Sequence, residues 1–254
     1  MLNKSRTLIV NADDANLTRG VTEAILDCHE RGIVSSTTWL VNFPEERGMI
    51  RRVKRMKQLG VGLHLNITKG NPVMPASKVT SLLDDGGNFS AVKTKLSKMP
   101  NARDVEREYR RQIQFFKQLF GRLPTHLDTH HQLHDVLFYL RILTRVAKSF
   151  RLPIRRSKRM PPYFSGIATD YFFGCLRPSG YWRAGVLKRT LENLPEGISE
   201  IMCHPGKNDG ALRAVSTFTT GREAEYRLLG HPQWRRFIRE QKIVLSHYGL
   251  CLGS

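Results

Sequence analysis

The feature that constrains the fold most is an apolar segment that ends in two adjacent carboxylates. Residues 7–10 read Thr-Leu-Ile-Val, which is typical of a strand buried on both faces, and Asn11-Ala12-Asp13-Asp14 follows at once. Strands of this kind occur in parallel α/β sheets, where the loops at the carboxyl ends carry the chemistry. One aspartate could instead cap the next helix, but capping does not easily explain both. The segment therefore predicts a parallel α/β fold with a site near Asp13 and Asp14.

Strands and helices are predicted to alternate along the whole chain. Apolar runs and alternating patterns predict strands at residues 7–10, 36–43, 61–67, 125–130, 152–157, 198–204 and 243–248. Amphipathic patterns predict helices at residues 17–31, 44–59, 101–121, 136–150, 187–194 and 222–240. With 254 residues, of which 40% are hydrophobic, this order predicts a single α/β domain over residues 1–254, either a barrel or a doubly wound sheet.

Residues 68–100 interrupt this alternation. The segment has no clear periodicity and is rich in glycine, proline, serine and lysine. A loop of this length in a compact domain usually has a function or is locally mobile. We therefore expect a lid or a binding loop at residues 68–100.

Histidines are concentrated in one short stretch. Residues 125–134 contain four of the nine histidines together with Asp128. If the run up to His130 is a strand, its period of two puts His126, Asp128 and His130 on one face. Such a row of imidazole and carboxylate groups can build a metal site, although a histidine-rich surface loop is the alternative.

Two more strands carry a histidine near their carboxyl ends. His64 shares the polar face of the alternating segment 61–67 with Asn66, and His204 ends the segment 198–204 just before a Pro-Gly break. In a parallel sheet these ends meet, so one pocket should collect the polar residues Asp13, Asp14, His64, His130 and His204. One carboxylate and two imidazoles commonly bind a divalent metal, but residue type alone does not choose among zinc, magnesium, manganese and iron.

Charge and cysteine content bear on partners and location. The net charge of +19 would attract a polyanion, while the denser basic clusters at 51–55, 151–159 and 235–236 are predicted to be mainly solvated faces or loops. The four cysteines form no Cys-x-x-Cys pair, so we expect neither a structural zinc nor a disulfide framework. No apolar run approaches the roughly 20 residues that span a bilayer, and residues 1–6 leave no room for a signal peptide. A cytoplasmic protein without a membrane span is expected.

Four motifs, in this order over nearly the whole chain, resemble those of the YdjC-like carbohydrate deacetylases. They are Asn11-Ala12-Asp13-Asp14, Gly62-Leu63-His64-Leu65-Asn66, Thr125-His126-Leu127-Asp128-Thr129-His130-His131 and Glu200-Ile201-Met202-Cys203-His204-Pro205-Gly206, and the segment 222–226 is also similar. The resemblance implies a distorted (β/α) barrel, often dimeric, that removes N-acetyl groups from sugars such as chitooligosaccharides with one divalent ion, Mg or Zn. By the same resemblance, Asp14, His64 and His130 match the metal ligands and Asp13 the adjacent catalytic carboxylate.

The chain departs from the family pattern at two places near this pocket. Ala15-Asn16 stands where Phe-Gly is usual, and Gln132 where a histidine is common. Both differences bear on the identity of the sugar, and neither removes a proposed ligand.

The predicted residues suffice for amide hydrolysis. A metal ion can lower the pKa of bound water from 15.7 to about 7 and can polarise an acetyl carbonyl. Asp13 is then predicted as the general base, His204 as the acid for the leaving amine, and Asp128 as the group that orients a ligand histidine. A metal-dependent phosphoesterase could use the same ligand types, and the positive charge would suit its anionic substrate. A non-catalytic nucleic-acid-binding protein would explain the charge but not the polar strand ends.

Overall fold

Seven strands form one curled sheet in the computed structural model, which describes residues 5–44, 46–90, 99–160, 166–174 and 180–252. The strands are β1 (Arg6–Ala15), β2 (Ser36–Trp39), β3 (Gly60–Leu65), β4 (Leu127–Thr129), β5 (Tyr171–Phe173), β6 (Gly197–Cys203) and β7 (Val244–Ser246). Their pairings are parallel in the order β4-β3-β2-β1-β6-β5, and β7 lies beside the first half of β1. The predicted α/β class is confirmed, with the sheet curled into a half-barrel.

Helices pack on the sheet in the described part of the chain. They are α1 (Arg19–Arg31), α2 (Arg47–Arg55), α3 (Ala102–Phe120), α4 (Leu137–Phe150), α5 (Ala184–Glu192), α6 (Gly210–Val215), α7 (Thr220–Leu229), α8 (Gln233–Glu240) and α9 (Tyr248–Cys251). The side chains of Thr18 and Asn101 cap α1 and α3, and Gly121, with a φ of 74°, ends α3. Among these helices, none is both long enough and apolar enough to cross a membrane.

The inward face of the sheet is polar. On β3, Val61 and Leu63 belong to the apolar core, whereas Gly62 and His64 face the other way, as the alternation predicts. Gly62 leaves the space that the ring of His126 occupies, because a Cβ on Gly62 would lie 2.4 Å from that ring. The interior of the half-barrel therefore holds imidazole and charged groups, while the apolar core lies between the strands and the helices.

The predicted strand at residues 152–157 is reduced to a single bridge. Ile154 pairs with Leu127 of β4, and the N–H of Arg155 donates to the carbonyl of Leu127 over 2.9 Å. This pairing runs the segment beside β4 and sends the side chain of Arg155 into the interior, where its exposed fraction is 0%. The interpretation of the basic cluster 151–159 as a solvated face or loop is therefore wrong for Arg155.

Three other parts of the predicted pattern are corrected. Residues 222–240 form two helices, since Gly230 and Pro232 separate α7 from α8. The helix predicted at 44–59 is the shorter α2. None of β5, α6 and α9 is predicted, because all three are short, and the strand predicted at 243–248 ends at Ser246 before α9 begins.

The described part of the predicted loop region is attached to α3. Glu108 accepts hydrogen bonds of 2.9 Å from the backbone N–H groups of Val73 and Met74, and Asp104 accepts one of 2.7 Å from the hydroxyl of Ser81. Residues 91–98 lie outside the described residues. A lid or binding loop at residues 68–100 therefore stays a prediction.

Candidate metal centre

A β-bulge near the end of β1 places both aspartates of the first motif in one cleft. Between the pairings of Ala12 and Ala15 with β2, β1 contains one residue more than β2. Within this extra length Asp14 adopts a φ of 69°, a left-handed value that is uncommon outside glycine. Asp13 and Asp14 consequently both line the cleft, although neighbours in a regular strand point to opposite faces.

Three donor atoms from separate strands converge beside Asp13. Asp14 comes from β1, His64 from β3, and His130 directly follows β4. Nε2 of His64 lies 3.2 Å and Nδ1 of His130 lies 3.1 Å from Oδ1 of Asp14, and the two ring nitrogens are 3.3 Å apart. All three side chains are buried. The structure thus brings together the three residues that the sequence suggests as ligands.

This arrangement fits a divalent ion. Two donors at about 2.1 Å from one cation, separated by an angle of about 90° to 110°, are about 3.0 to 3.4 Å apart, and the observed separations fall within that interval. Nδ1 of His64 contacts the carboxylate of Asp128, so Nε2 of a neutral His64 presents a lone pair to Asp14. A cation, either a proton or a metal ion, is needed between these two groups.

Asp128 and Thr38 hold the ring of His64 from the other side. Oδ1 of Asp128 lies 2.7 Å from Nδ1 of His64, and the hydroxyl of Thr38 donates to Oδ2 of Asp128 over 3.0 Å. Burial alone would lower the pKa of His64, but Asp128 raises it to about 10. Burial alone would raise the pKa of Asp128, but His64 and Arg155 bring it below its usual range.

Asp13 is held by a buried arginine. The two Nη atoms of Arg155 donate to the two carboxylate oxygens of Asp13 over 2.6 and 2.7 Å, and Asn11 adds a hydrogen bond of 2.9 Å. The same guanidinium lies 2.9 Å from Asp128 and 2.8 Å from Glu200. Burial opposes the charged form, yet these carboxylates raise the pKa of Arg155 well above its usual value. The half-barrel therefore contains a permanent positive charge among three acids.

Asp14 has an arginine of its own. Nη2 of Arg222, on α7, lies 2.5 Å from Oδ2 of Asp14, and Nε donates to the carbonyl of Phe218 over 3.1 Å. Nη1 of Arg222 is buried and has no hydrogen-bond partner among the described residues. Burial alone would raise the pKa of Asp14, but Arg222 and His130 hold it well below its usual range. Asp14 is therefore ionised, with Oδ1 directed at the two histidines.

A cleft of about 620 Å³ opens at these groups and includes His204. Nε2 of His204 lies 3.8 Å from Oδ2 of Asp13, and 25% of the His204 side chain is exposed. Burial lowers the pKa of His204 to about 4, so the ring is neutral near pH 7. The other lining residues include Lys69, His131, Gln132, Arg213, Phe218 and Arg222. All five residues that the sequence places in one pocket therefore line the same cleft.

The other three histidines of residues 125–134 have different neighbours. Nδ1 of His131 lies 2.8 Å from the hydroxyl of Thr68, and Nδ1 of His134 lies 2.6 Å from the hydroxyl of Thr129. His126 packs against the backbone of β3, where burial lowers its pKa to about 3. The density of histidines in this stretch therefore reflects several structural roles as well as the candidate centre.

Sequence reasoning assigns no role to four buried residues that support the site: Thr38, Arg155, Glu200 and Arg222. Arg155 lies in a basic stretch that is typical of an exposed surface, and Arg222 is indicated only as part of a segment similar to the family. One signal for Arg155 is its position directly after Ile154 in a predicted strand, where one of two neighbouring side chains must face inward.

Comparisons with known proteins agree with this fold. A family 4 carbohydrate esterase from Streptomyces lividans, solved in complex with acetate, has a TM-score of 0.51 at 10% identity over 94% of this chain and 91% of its own, which shows the fold alone. A candidate cellobiose-phosphate cleavage protein from Enterococcus faecalis V583 has a TM-score of 0.86 at 28% identity, covering 98% of this chain and 100% of its own. A carbohydrate deacetylase from Halalkalibacterium halodurans is 34% identical over 232 residues, covering 87% of this chain and 94% of that relative.

The fold and the site define a curled parallel half-barrel with an Asp-His-His cluster, suited to a metal ion, at its strand ends. Residues 7–240 match the family described as YdjC-like protein, and the chain belongs to that family. The resemblance indicated by the four motifs is thereby confirmed.

Proposed function

We propose that this chain is a metal-dependent carbohydrate deacetylase that hydrolyses the N-acetyl group of an acetylated sugar. The observation that carries the proposal is the convergence of Asp14, His64 and His130 within 3.3 Å of one another, beside an aspartate held by Arg155. The relative from Halalkalibacterium halodurans, described as a carbohydrate deacetylase, supports the same activity.

Asp14, His64 and His130 would hold one divalent ion, with Asp128 orienting His64 through the 2.7 Å contact. When bound, the ion would supply an activated water at neutral pH and polarise the acetyl carbonyl. Two imidazole donors favour zinc over magnesium, which prefers oxygen ligands. Both ions are therefore part of the test below.

Asp13 would accept the proton of the attacking water. Its two hydrogen bonds with Arg155 hold the carboxylate in one orientation, so no rotation of the side chain is needed for the transfer. The water oxygen forms a bond to the acetyl carbon, and its proton resides on Asp13.

His204 would give a proton to the leaving amine. The ring is neutral near pH 7, because burial lowers its pKa to about 4, and so it must first gain a proton. Asp13, at 3.8 Å, is the group from which His204 can take it after a small movement. Protonated His204 then donates to the nitrogen as the C–N bond breaks, which yields acetate and a free amino sugar.

The experiment that tests this function is acetate release from N-acetylglucosamine oligomers, measured for protein stripped of metal and reloaded with zinc or magnesium. We expect release only with an ion, and we expect His64→Ala and His130→Ala to lose both the ion and the activity. His231→Ala, which removes an exposed histidine outside the cleft, is the control and should retain both. No release by loaded wild type on any acetylated sugar would contradict the proposal.

Asp13→Asn tests whether Asp13 acts as the general base or as a metal ligand. The variant should bind the ion as wild type does, measured by elemental analysis, but lose about 10²- to 10⁴-fold in turnover, because the proton acceptor is gone. Joint loss of the ion and the activity would instead make Asp13 a ligand.

A metal-dependent phosphoesterase is the second candidate, because of the charge around the cleft. Its described lining includes Lys69, Arg213 and Arg222 but only two acids, Asp13 and Asp14. A cationic cleft attracts anionic substrates. Phosphate release from sugar phosphates by the loaded protein, without acetate release from acetylated sugars, would favour this function.

Three expectations from the sequence stay predictions: a cytoplasmic location, a homodimer, and contact of the basic surface with a polyanion. The free cysteines in the described part of the chain, Cys28, Cys203 and Cys251, accord with the first. Light scattering tests the second, and salt-dependent retention on an anionic polymer tests the third.

A further inference from the structure

Tyr248 occupies the interior of the half-barrel, far along the chain from the cleft motifs. It begins α9, directly after β7, and its exposed fraction is 0%. Its ring stacks on that of His126, with centroids 3.8 Å apart and an interplanar angle of 8°. Its hydroxyl donates to Oε2 of Glu200 over 2.5 Å. Tyr248 lies outside residues 7–240, the part that matches the family.

The contact with Glu200 connects Tyr248 to Asp13. Oε1 of Glu200 accepts from Nε of Arg155 over 2.8 Å, and the Nη atoms of Arg155 bind both oxygens of Asp13. A continuous series of hydrogen bonds therefore runs from the Tyr248 hydroxyl to the carboxylate in the cleft. All four side chains are buried, so water does not replace any of these contacts.

Glu200 is the residue of this series whose protonation depends most on the Tyr248 hydroxyl. Burial raises the pKa of Glu200 even though Arg155 and Tyr248 both favour the charged carboxylate. Without the Tyr248 hydroxyl, Oε2 would be a buried oxygen without a donor, and protonation of Glu200 would then relieve the unpaired charge. Arg155 would be left with two charged acids in place of three, and the guanidinium would no longer be fixed from the Glu200 side while it binds Asp13.

We propose that Tyr248 is a positioning residue for the reaction, which holds Glu200 in place and, through the guanidinium of Arg155, fixes the orientation of the Asp13 carboxylate. The inference rests on the proposed function, in which Asp13 accepts the proton of water. Tyr248 itself touches neither the substrate cleft nor the proposed ligands.

Tyr248→Phe is the test, with Tyr109→Phe as the matched control. Tyr109 is also fully buried, but its hydroxyl has no hydrogen-bond partner among the described residues and lies on α3 away from the cleft. On N-acetylglucosamine oligomers, Tyr248→Phe should lower kcat about tenfold while KM and the bound ion are unchanged, the lower end of the effects known for groups that orient a site from behind. Equal kcat values for Tyr248→Phe and Tyr109→Phe would overturn the inference.

A spectroscopic readout keeps the inference testable apart from the activity. Difference infrared spectroscopy of protein carrying ¹³C-labelled glutamate should detect one additional protonated carboxyl group in Tyr248→Phe at neutral pH, and Glu200→Gln introduced into that variant should remove it. Absence of this group would overturn the inference. Failure of wild type to release acetate would contradict the proposed function and leave the infrared result to decide the role of Tyr248.

Discussion

Asp13 and Asp14 are neighbours in the chain, but each is held by a different buried arginine, and the two arginines are paired to different degrees. Arg155 is fully buried and contacts three carboxylates through its three guanidinium nitrogens. Arg222 contacts one carboxylate and one carbonyl, and its Nη1 has no hydrogen-bond partner in the described ranges. Every guanidinium nitrogen of Arg155 therefore has a carboxylate partner, whereas one nitrogen of Arg222 has no partner among the described residues.

The two arginines therefore differ in whether a bound ion could neutralise the same carboxylate charge. None of the three acids around Arg155 is a proposed ligand, so their negative charge needs the arginine whether or not an ion is bound. The acid beside Arg222 is the proposed ligand Asp14, whose charge a bound ion would also neutralise. The contribution of Arg222 to the free energy of unfolding should therefore depend on whether an ion is bound. The contribution of Arg155 should not.

Arg155→Met should have the largest effect on stability. It would leave Asp13, Asp128 and Glu200 buried without their counter-charge, and loss of one partner of a buried ion pair costs about 3–5 kcal/mol. Chemical denaturation measures the change in the free energy of unfolding. Arg145→Met is the control, because its salt bridge is exposed and should contribute under about 1 kcal/mol. A similar decrease in the free energy of unfolding in the two variants would contradict the stabilising role of Arg155.

Arg222→Met should have a smaller effect that the ion reverses. In metal-free protein the lost contact with Asp14 should lower the free energy of unfolding by about 2 kcal/mol, as for other hydrogen bonds to charged groups. With zinc added, the difference in the free energy of unfolding between Arg222→Met and wild type should become smaller, because the ion neutralises the carboxylate of Asp14. Arg155→Met should show the same loss in the free energy of unfolding with and without zinc. Equal rescue of both variants would remove the distinction between the two arginines.

Per pH unit, the pH dependence of metal-free stability should be the smallest of these effects. The pKa of His64 is about 10 in the folded protein against an ordinary value of 6.5, so its stabilising contribution is complete below pH 6.5 and is lost as the pH rises toward 10. The free energy of unfolding should fall by at most about 1.4 kcal/mol per pH unit above neutrality. His64→Gln should flatten the profile. A slope that persists in this variant would assign the titration to another group.

The polar residues of the pocket were predictable because each lies at a position that local patterns identify, and the choice of the three ligands among them came from the resemblance to the family. His64 follows from the period of two in β3, and His130 from a histidine stretch that ends a strand. The bulge that turns Asp14 beside Asp13 was not predictable, since it depends on the pairing of β1 with β2. The arginines were missed for a related reason: nothing adjacent to Arg155 in sequence indicates that its neighbours are acids from β1, β4 and β6.

The sequence by itself determined the alternation of strands and helices, the parallel α/β class and the polar residues at the strand ends, because periods of 2 and 3.6 are local properties of the chain. Only the tertiary structure decided which charges meet. Arg155 contacts Asp13 across 142 positions, and Tyr248 contacts Glu200 across 48. Such contacts depend on how strongly the sheet curls, and that curvature results from the packing of the whole domain.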